Sequence, residues 1–196
     1  MRILQLVSCR GWSSDAYWAA RTTRELERRG HNVTLVCLAG KESRVLDGMR
    51  REGVEPVTTL AFASGVHPGK DIRDLVRLRG LLEGANVVHV HRGKEHWLAA
   101  VANRLITRPR PLVRTRHIAL AVRPHAANRW LYRHATALVV TVTEAIRGQF
   151  VASGLVDADR VVALHGGADA ERYRPVPRDP ETVSYTHLTL PTIYSV

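Results

Sequence analysis

Long apolar runs are missing from this 196-residue chain. None approaches the roughly 20 residues that a helix needs to cross a bilayer. The N-terminal stretch MRILQLVSCRGW has only a short apolar run before arginine and tryptophan interrupt it. It therefore lacks the core length and the small-residue cleavage site of a secretory signal, and a cytoplasmic location is the expectation. Cysteine is scarce as well, with Cys9 and Cys37 the only two. Two thiols in apolar runs make neither a disulfide framework nor a metal site, and both are predicted to be buried and reduced. Lysine occurs only at Lys41, Lys70 and Lys94, and acidic residues are few, with 18 Asp and Glu against 29 Lys and Arg. The net charge of +11 is thus carried almost wholly by arginine. Such an excess suits nucleic acid, an anionic membrane surface or phosphorylated substrates, and charge alone does not choose among them. Arginine enrichment also follows from a GC-rich coding sequence.

What is present is an alternation of short apolar runs with amphipathic segments. Residues 2–8, 31–38, 54–60, 86–91, 112–116, 137–142 and 159–165 read as strands. Residues 14–30, 43–53, 71–84, 94–107, 124–135 and 143–154 read as helices, several of them closed by glycine or proline. Ser14 and Thr143 are expected to cap their helices, and a proline is expected at the start of 124–135. Pro56 cannot donate to a ladder, so the third strand is expected near an edge. In 71–84 the spacing puts Ile72, Leu75, Leu78 and Leu82 inward. Strands separated by helices, each a nearly continuous apolar run, imply repeated βαβ units. The predicted class is α/β, a Rossmann-like parallel sheet of about seven strands with helices on both faces. Ligands of such sheets bind beyond the carboxyl ends of the strands.

The loop after the first strand, SCRGWSSDAYW, has one glycine, Gly11, and neither the G-x-G-x-x-G pattern nor a P-loop lysine. Gly11, Trp12 and Ser13 nevertheless feed a helix N-terminus that offers backbone N–H groups to an anion; an ordinary capped turn explains the same residues. The fourth strand ends VVHVHRGKEHW. His89 and His91 alternate with Val90, so they share one face of the sheet, with His96 just beyond. Three histidines invite a metal, but the spacing matches no usual zinc pattern and Glu95 is the only carboxylate nearby. A polar cleft wall including His91 and Arg92 is the better reading, with no metal.

NVVHVHRGKEHWLAAVANRL, LVRTRHI, NRWLYRHATALVVTVTEAIRGQFVASGL and DRVVALHGGADAERYRP together resemble the N-terminal domain of family 4-type retaining glycosyltransferases of the GT-B fold. Order and spacing match over residues 1–176, and the Thr143–Glu144 helix start followed by GGADAERYRP is the most specific element. Family members usually have a segment like NGVD..RF.P where this chain has His165-Gly166-Gly167-Ala168-Asp169. Their glycine-rich loop has two adjacent glycines and often a glutamate where Ser13, Ser14 and Asp15 stand here.

The resemblance implies one half of a two-domain enzyme. Residues 1–176 would hold the acceptor side, 177–182 would lead toward a donor-binding domain, and a nucleotide-sugar would be the donor substrate, with no further cofactor. His117 in RTRHI maps to the family's cleft histidine, beside the transferred sugar. Gly11, Trp12, Ser13, His91, Arg92, Arg116, Thr143 and Glu144 would contact substrate, Arg116 being equally readable as a rim charge. A cell-envelope glycan or lipid-linked sugar is the expected acceptor. Arg73, Arg77 and Arg79 are compatible with peripheral contact with anionic lipid at the inner face of the membrane, but a solvated helix face is the favoured reading of the same residues. The last stretch, 183–196, begins VSYTHLTLPT, which looks like translated sequencing-adapter DNA and is expected to be non-native, so that the chain is a fragment without transfer activity of its own. Two other readings stand beside the enzyme: a sugar- or phosphate-binding module without turnover, and, less favoured because the arginines spread over nearly every helix, a basic nucleic-acid-binding domain.

Overall fold

The apolar runs form seven strands, all parallel, in a single sheet of order β3-β2-β1-β4-β5-β6-β7. The structure is a computed structural model that describes residues 1–40, 44–56 and 58–167. In chain order the strands are β1 (Arg2–Val7), β2 (Asn32–Leu38), β3 (Thr58–Leu60), β4 (Val87–Val90), β5 (Leu112–Arg116), β6 (Leu138–Thr141) and β7 (Val161–Ala163). The helices are α1 (Ser14–Arg28), α2 (Arg44–Arg51), α3 (Pro68–Glu83), α4 (Gly93–Arg104), α5 (Ala126–Trp130) and α6 (Glu144–Ala152). Met1–Gly166 is one compact unit. The proposed linker at 177–182 and the tail at 183–196 lie outside the described residues.

Each strand sends alternate side chains to two cores, as a doubly covered parallel sheet requires. On one face Leu4, Leu6, Val88, Val90 and Leu112 pack with Leu78 and Leu82 of α3, the alanines of α4, and Ile146 and Phe150 of α6. On the other face Val7, Cys9, Leu35 and Cys37 meet Ala16, Ala19 and Ala20 of α1 and Val45 and Met49 of α2. Both thiols are buried and free, and burial pushes each up to about 12. The alanine face lets α1 lie close to the sheet, where Gln5 Nε2 donates to the Ala19 carbonyl at 2.8 Å.

Several element ends differ from the sequence reading. The third strand begins at Thr58 rather than residue 54, and it lies at the edge as Pro56 implied. The seventh is cut to three residues by a 3₁₀ turn at Ala158–Arg160. Ser14 is the first residue of α1 and Ser13 occupies the cap position, whereas Thr143 does cap α6, accepting from Ile146 N at 3.2 Å. Pro124 precedes α5 without entering it, and His125 takes the cap position, accepting from Asn128 N. The segment read as one helix over 124–135 changes to a π turn at Leu131–Ala135.

The inward face of α3 is also corrected. Leu78 and Leu82 are buried, but Ile72 is 61% exposed and Val76 69% exposed. Asp74 sets the rotation of the helix: its buried carboxylate accepts the N–H groups of Ala61 and Phe62 at 3.0 and 2.8 Å. Those bonds hold Phe62 at φ 37°, a left-handed conformation unfavourable for an aromatic residue.

Gly48 of α2 has a specific steric role. A Cβ there would lie 2.0 Å from Cε3 of Trp12, whose indole rests on the helix. Gly48→Ala must swing that ring out. We expect it to cost about 1–3 kcal/mol in urea unfolding, with a red-shifted tryptophan emission; unchanged stability and emission would show that Trp12 does not pack there.

Candidate functional site

Strand order reverses between β1 and β4, so the loops that follow these two strands leave in opposite directions and open a crevice at the carboxyl end of the sheet. Glu95, in the first turn of α4, forms the floor of this crevice. Its side chain is fully buried. Oε1 accepts the backbone N–H groups of Arg92 at 2.6 Å, His91 at 3.3 Å and Ser8 at 3.4 Å, and Oε2 accepts the Ser8 hydroxyl. One carboxylate thus joins the end of β1 to the end of β4 and satisfies donors that strand and helix termini leave open.

The first turn of α1 closes one side. Asp15 is buried and pairs with Arg92, Oδ2 lying 3.1 Å from Nε, while Ser13 donates its hydroxyl to Oδ1. Burial opposes its charge, but the Ser13 hydrogen bond, the Arg92 guanidinium and the Cys9 thiol together hold the carboxyl below its ordinary value. A carboxylate of the chain itself therefore occupies the positive end of α1, where an outside anion would otherwise be favoured.

The facing wall is built of histidines. His89 and His91 lie on one face of β4, ring centroids 4.4 Å apart, as their alternation with Val90 dictates. His117, just past β5, brings Nε2 to 3.2 Å from Nδ1 of His91. Trp18, one turn on from Asp15, lies edge-on to His89, His91 and His117 at centroid distances of 5.9, 5.7 and 5.5 Å. Gly166 adjoins the same indole: a Cβ there would lie 3.5 Å from Cδ1.

These imidazoles are neutral at pH 7. Burial, with His117 and the Arg114 guanidinium next in effect, lowers His89 to about 3. Burial, then His89 and His117, holds His91 well below the usual range. His117 falls to about 4, again mainly through burial, against the opposite pull of Asp15. In the neutral His91–His117 pair one nitrogen donates and the other accepts. Nε2 of His91 is buried and has no partner among the described residues. An orphaned buried N–H is less tolerable than an orphaned lone pair, so the favoured arrangement has His91 Nδ1–H donating to His117 Nε2. His117 then keeps Nδ1–H as its remaining donor.

The crevice thus gathers Ser13, His91, Arg92 and His117 of the expected site residues, together with Asp15, Trp18 and Glu95, which were not among them. The other expected residues are placed elsewhere. Gly11 is exposed at the loop tip, and Trp12 lies on α2. Thr143 and Glu144 are exposed at the start of α6, beyond β6. Arg116 is not a solvated rim charge: it is buried on the opposite face of the sheet, where Nη2 donates to the Leu120 carbonyl at 2.6 Å and the guanidinium lies 5.5 Å from the Phe150 ring. His96 is also separate, sharing a 2.8 Å hydrogen bond with Thr136. Among the described residues no group of three or more His, Cys, Asp or Glu converges as a metal would require. The crevice presents neutral donors, an indole and one guanidinium, which suits hydroxyl and phosphate oxygens. Its cysteine is held as the thiol, so it offers no ready sulfur nucleophile.

Solved structures share this fold at low identity. A glycosyltransferase from Rickettsia africae ESF-5 superposes with a TM-score of 0.69 at 12% identity, over 94% of this chain and 48% of that one. The HepE protein of Anabaena, solved with UDP and glucose, gives 0.69 at 17%, over 95% and 49%. A UDP-GlcNAc 2-epimerase from Neisseria meningitidis, bound to UDP-GlcNAc, gives 0.61 at 17%, over 85% and 47%. The chain thus spans about half the length of each of these proteins. A search of curated proteins returns no match. The sequence profile described as Glycosyltransferase Family 4 matches residues 16–172, which take in all but the first two residues of α1, the histidine wall and every strand from β2 onward. With that match over most of its length, the chain belongs to glycosyltransferase family 4.

Proposed function

We propose that this chain is the acceptor-side half of a retaining, hexosyltransferase-like enzyme that moves a sugar from a nucleotide-sugar to a cell-envelope glycan or lipid-linked acceptor. No cofactor beyond the donor substrate enters the scheme. The observation that carries it is the neutral His117, held by buried His91 at the strand-order reversal. Its Nδ1–H would donate to a hydroxyl of the transferred sugar, and Arg92 would face the leaving diphosphate. Departure of a nucleoside diphosphate develops negative charge, which fixed donors and guanidinium groups stabilise without reorganising. The sugar passes through an oxocarbenium-like state, for which positioning and water exclusion matter more than a strong nucleophile. Closure of a second domain over the crevice would supply both.

Membrane contact fits the same scheme. Ile72 and Val76 project from α3 beside the exposed Lys70, Arg73 and Arg77, an apolar and basic face suited to anionic lipid at the inner surface. Among the described residues no helix is long and apolar enough to cross a membrane.

The test is transfer of labelled sugar from UDP- and GDP-hexoses, comparing the protein encoded by the full parent gene with the 196-residue chain. We expect transfer by the former and none by the latter. Transfer by the 196-residue chain alone would overturn the half-enzyme reading. Binding of nucleotide-sugar by the full protein without turnover would favour a binding module, and isomerised donor without transfer would favour epimerase chemistry.

A further inference from the structure

A second basic site lies at the other end of the sheet. Where β5, β6 and β7 begin there is a cavity of about 380 Å³, lined by Arg104, Arg110, Arg133 and Arg160 together with Asn103 and His134. No acidic side chain lines it. Each guanidinium is anchored by backbone carbonyls, which fix its position and leave its charge uncompensated. Arg104 Nη2 donates to the His134 carbonyl at 2.8 Å and Arg133 Nη2 to that of Gly154 at 2.6 Å. Arg110 donates to Leu82 and Glu83 at 3.3 and 3.0 Å, and Arg160 to Tyr132, Arg133 and Ala137. Asp157 lies 4.0 Å from Arg160, and its side chain is 75% exposed. Nη1 of Arg104, Arg110 and Arg133 makes no hydrogen bond among the described residues.

Four like charges around one cavity repel one another in the absence of an anion. Guanidinium groups already fixed by carbonyls lose little entropy when they bind one, and their planar forks match phosphate oxygens. We propose that this cavity binds a phosphate group, carried by a soluble ester or by an anionic lipid headgroup. The proposal is independent of the transfer reaction at the opposite end of the sheet, and either can fail alone.

The test is calorimetric titration of the 196-residue chain with inorganic phosphate at constant ionic strength in chloride. We expect saturable binding, weakened about tenfold or more, equivalent to about 1.4 kcal/mol, by Arg133→Gln and by Ala137→Glu. Ala137 is exposed at the cavity rim, so its replacement by glutamate adds a competing carboxylate without removing a guanidinium or burying a new group. Arg28→Gln, on the exposed side of α1, should leave this binding unchanged. Sedimentation with phosphatidylglycerol vesicles, phosphatidylcholine vesicles serving as blank, separates the two sources. Vesicle binding that Ala137→Glu weakens assigns the lipid headgroup. Phosphate binding with vesicle binding absent, or untouched by Ala137→Glu, assigns a soluble ester. No saturable phosphate binding, or binding that Ala137→Glu leaves intact, overturns the proposal.

Discussion

Acidification from pH 7.5 to pH 5 is expected to unfold this domain. Four histidines are responsible. His89 is lowered to about 3 and His117 to about 4, while His91 and His96 lie well below the ordinary value. Burial is the first cause for all four, and the buried Arg114 cation adds to it in each case. In the unfolded chain the same side chains take up protons near pH 6.5. Between about pH 6.5 and pH 4 the unfolded state therefore binds more protons than the folded state, and stability falls as pH falls through that window. Each group contributes a slope of up to about 1.4 kcal/mol per pH unit, so four approach about 5 kcal/mol per unit near pH 5. Asp15, whose carboxyl is lowered, adds a further loss only at still lower pH, as it is protonated in the folded state. Total stabilities of about 5–15 kcal/mol do not survive such a slope for long. Urea midpoints at pH 7.5, 6.5, 5.5 and 5 would measure it. His96→Gln keeps a hydrogen-bonding amide for Thr136 but takes no proton, and should remove about a quarter of the slope. A midpoint independent of pH over this range would show that the histidines are not buried as neutral groups.

Replacement of Glu95 should have the second largest effect. Glu95→Ala leaves the Ser8, His91 and Arg92 N–H groups and the Ser8 hydroxyl without their acceptor at the join of β1 and β4. Removing one member of a buried, charged hydrogen-bond set costs about 3–5 kcal/mol. Glu95→Gln retains one oxygen for the backbone donors and turns an NH₂ toward Ser8, whose hydroxyl can rotate to accept, so about 1–2 kcal/mol is expected. Urea unfolding of both variants at pH 7.5 tests this. Equal losses would show that the charge itself is needed; no loss in the alanine variant would show that water replaces the carboxylate.

The sheet was legible because strands covered on both faces need continuous apolar runs, and because glycine stops such as Gly30 and Gly154 separate the elements. The same alternation placed His89 and His91 together. It also puts Arg114 and Arg116 in phase with Leu112, so they face the core opposite His117. What local pattern does not contain is long-range pairing. The His91–His117 contact spans 26 residues and the Ser8–Glu95 contact 87. Trp18 lies off the alanine stripe of α1, so periodicity reads it as peripheral although it faces three imidazoles. Ile72 fits a helical stripe by spacing, but Asp74, tied to a loop backbone, turns α3 so that Ile72 projects outward.

In the proposed reaction His117 is the group that meets the transferred sugar. The direct measurement is turnover of the full-length parent protein at saturating nucleotide-sugar, wild type against His117→Ala, with folded content checked by circular dichroism. Loss of one positioned donor predicts a fall in kcat of about 10²–10³-fold, with nucleotide-sugar affinity changed far less. A kcat within about twofold of wild type, a difference of under 0.5 kcal/mol in barrier, would contradict the assignment of this crevice as the reaction centre.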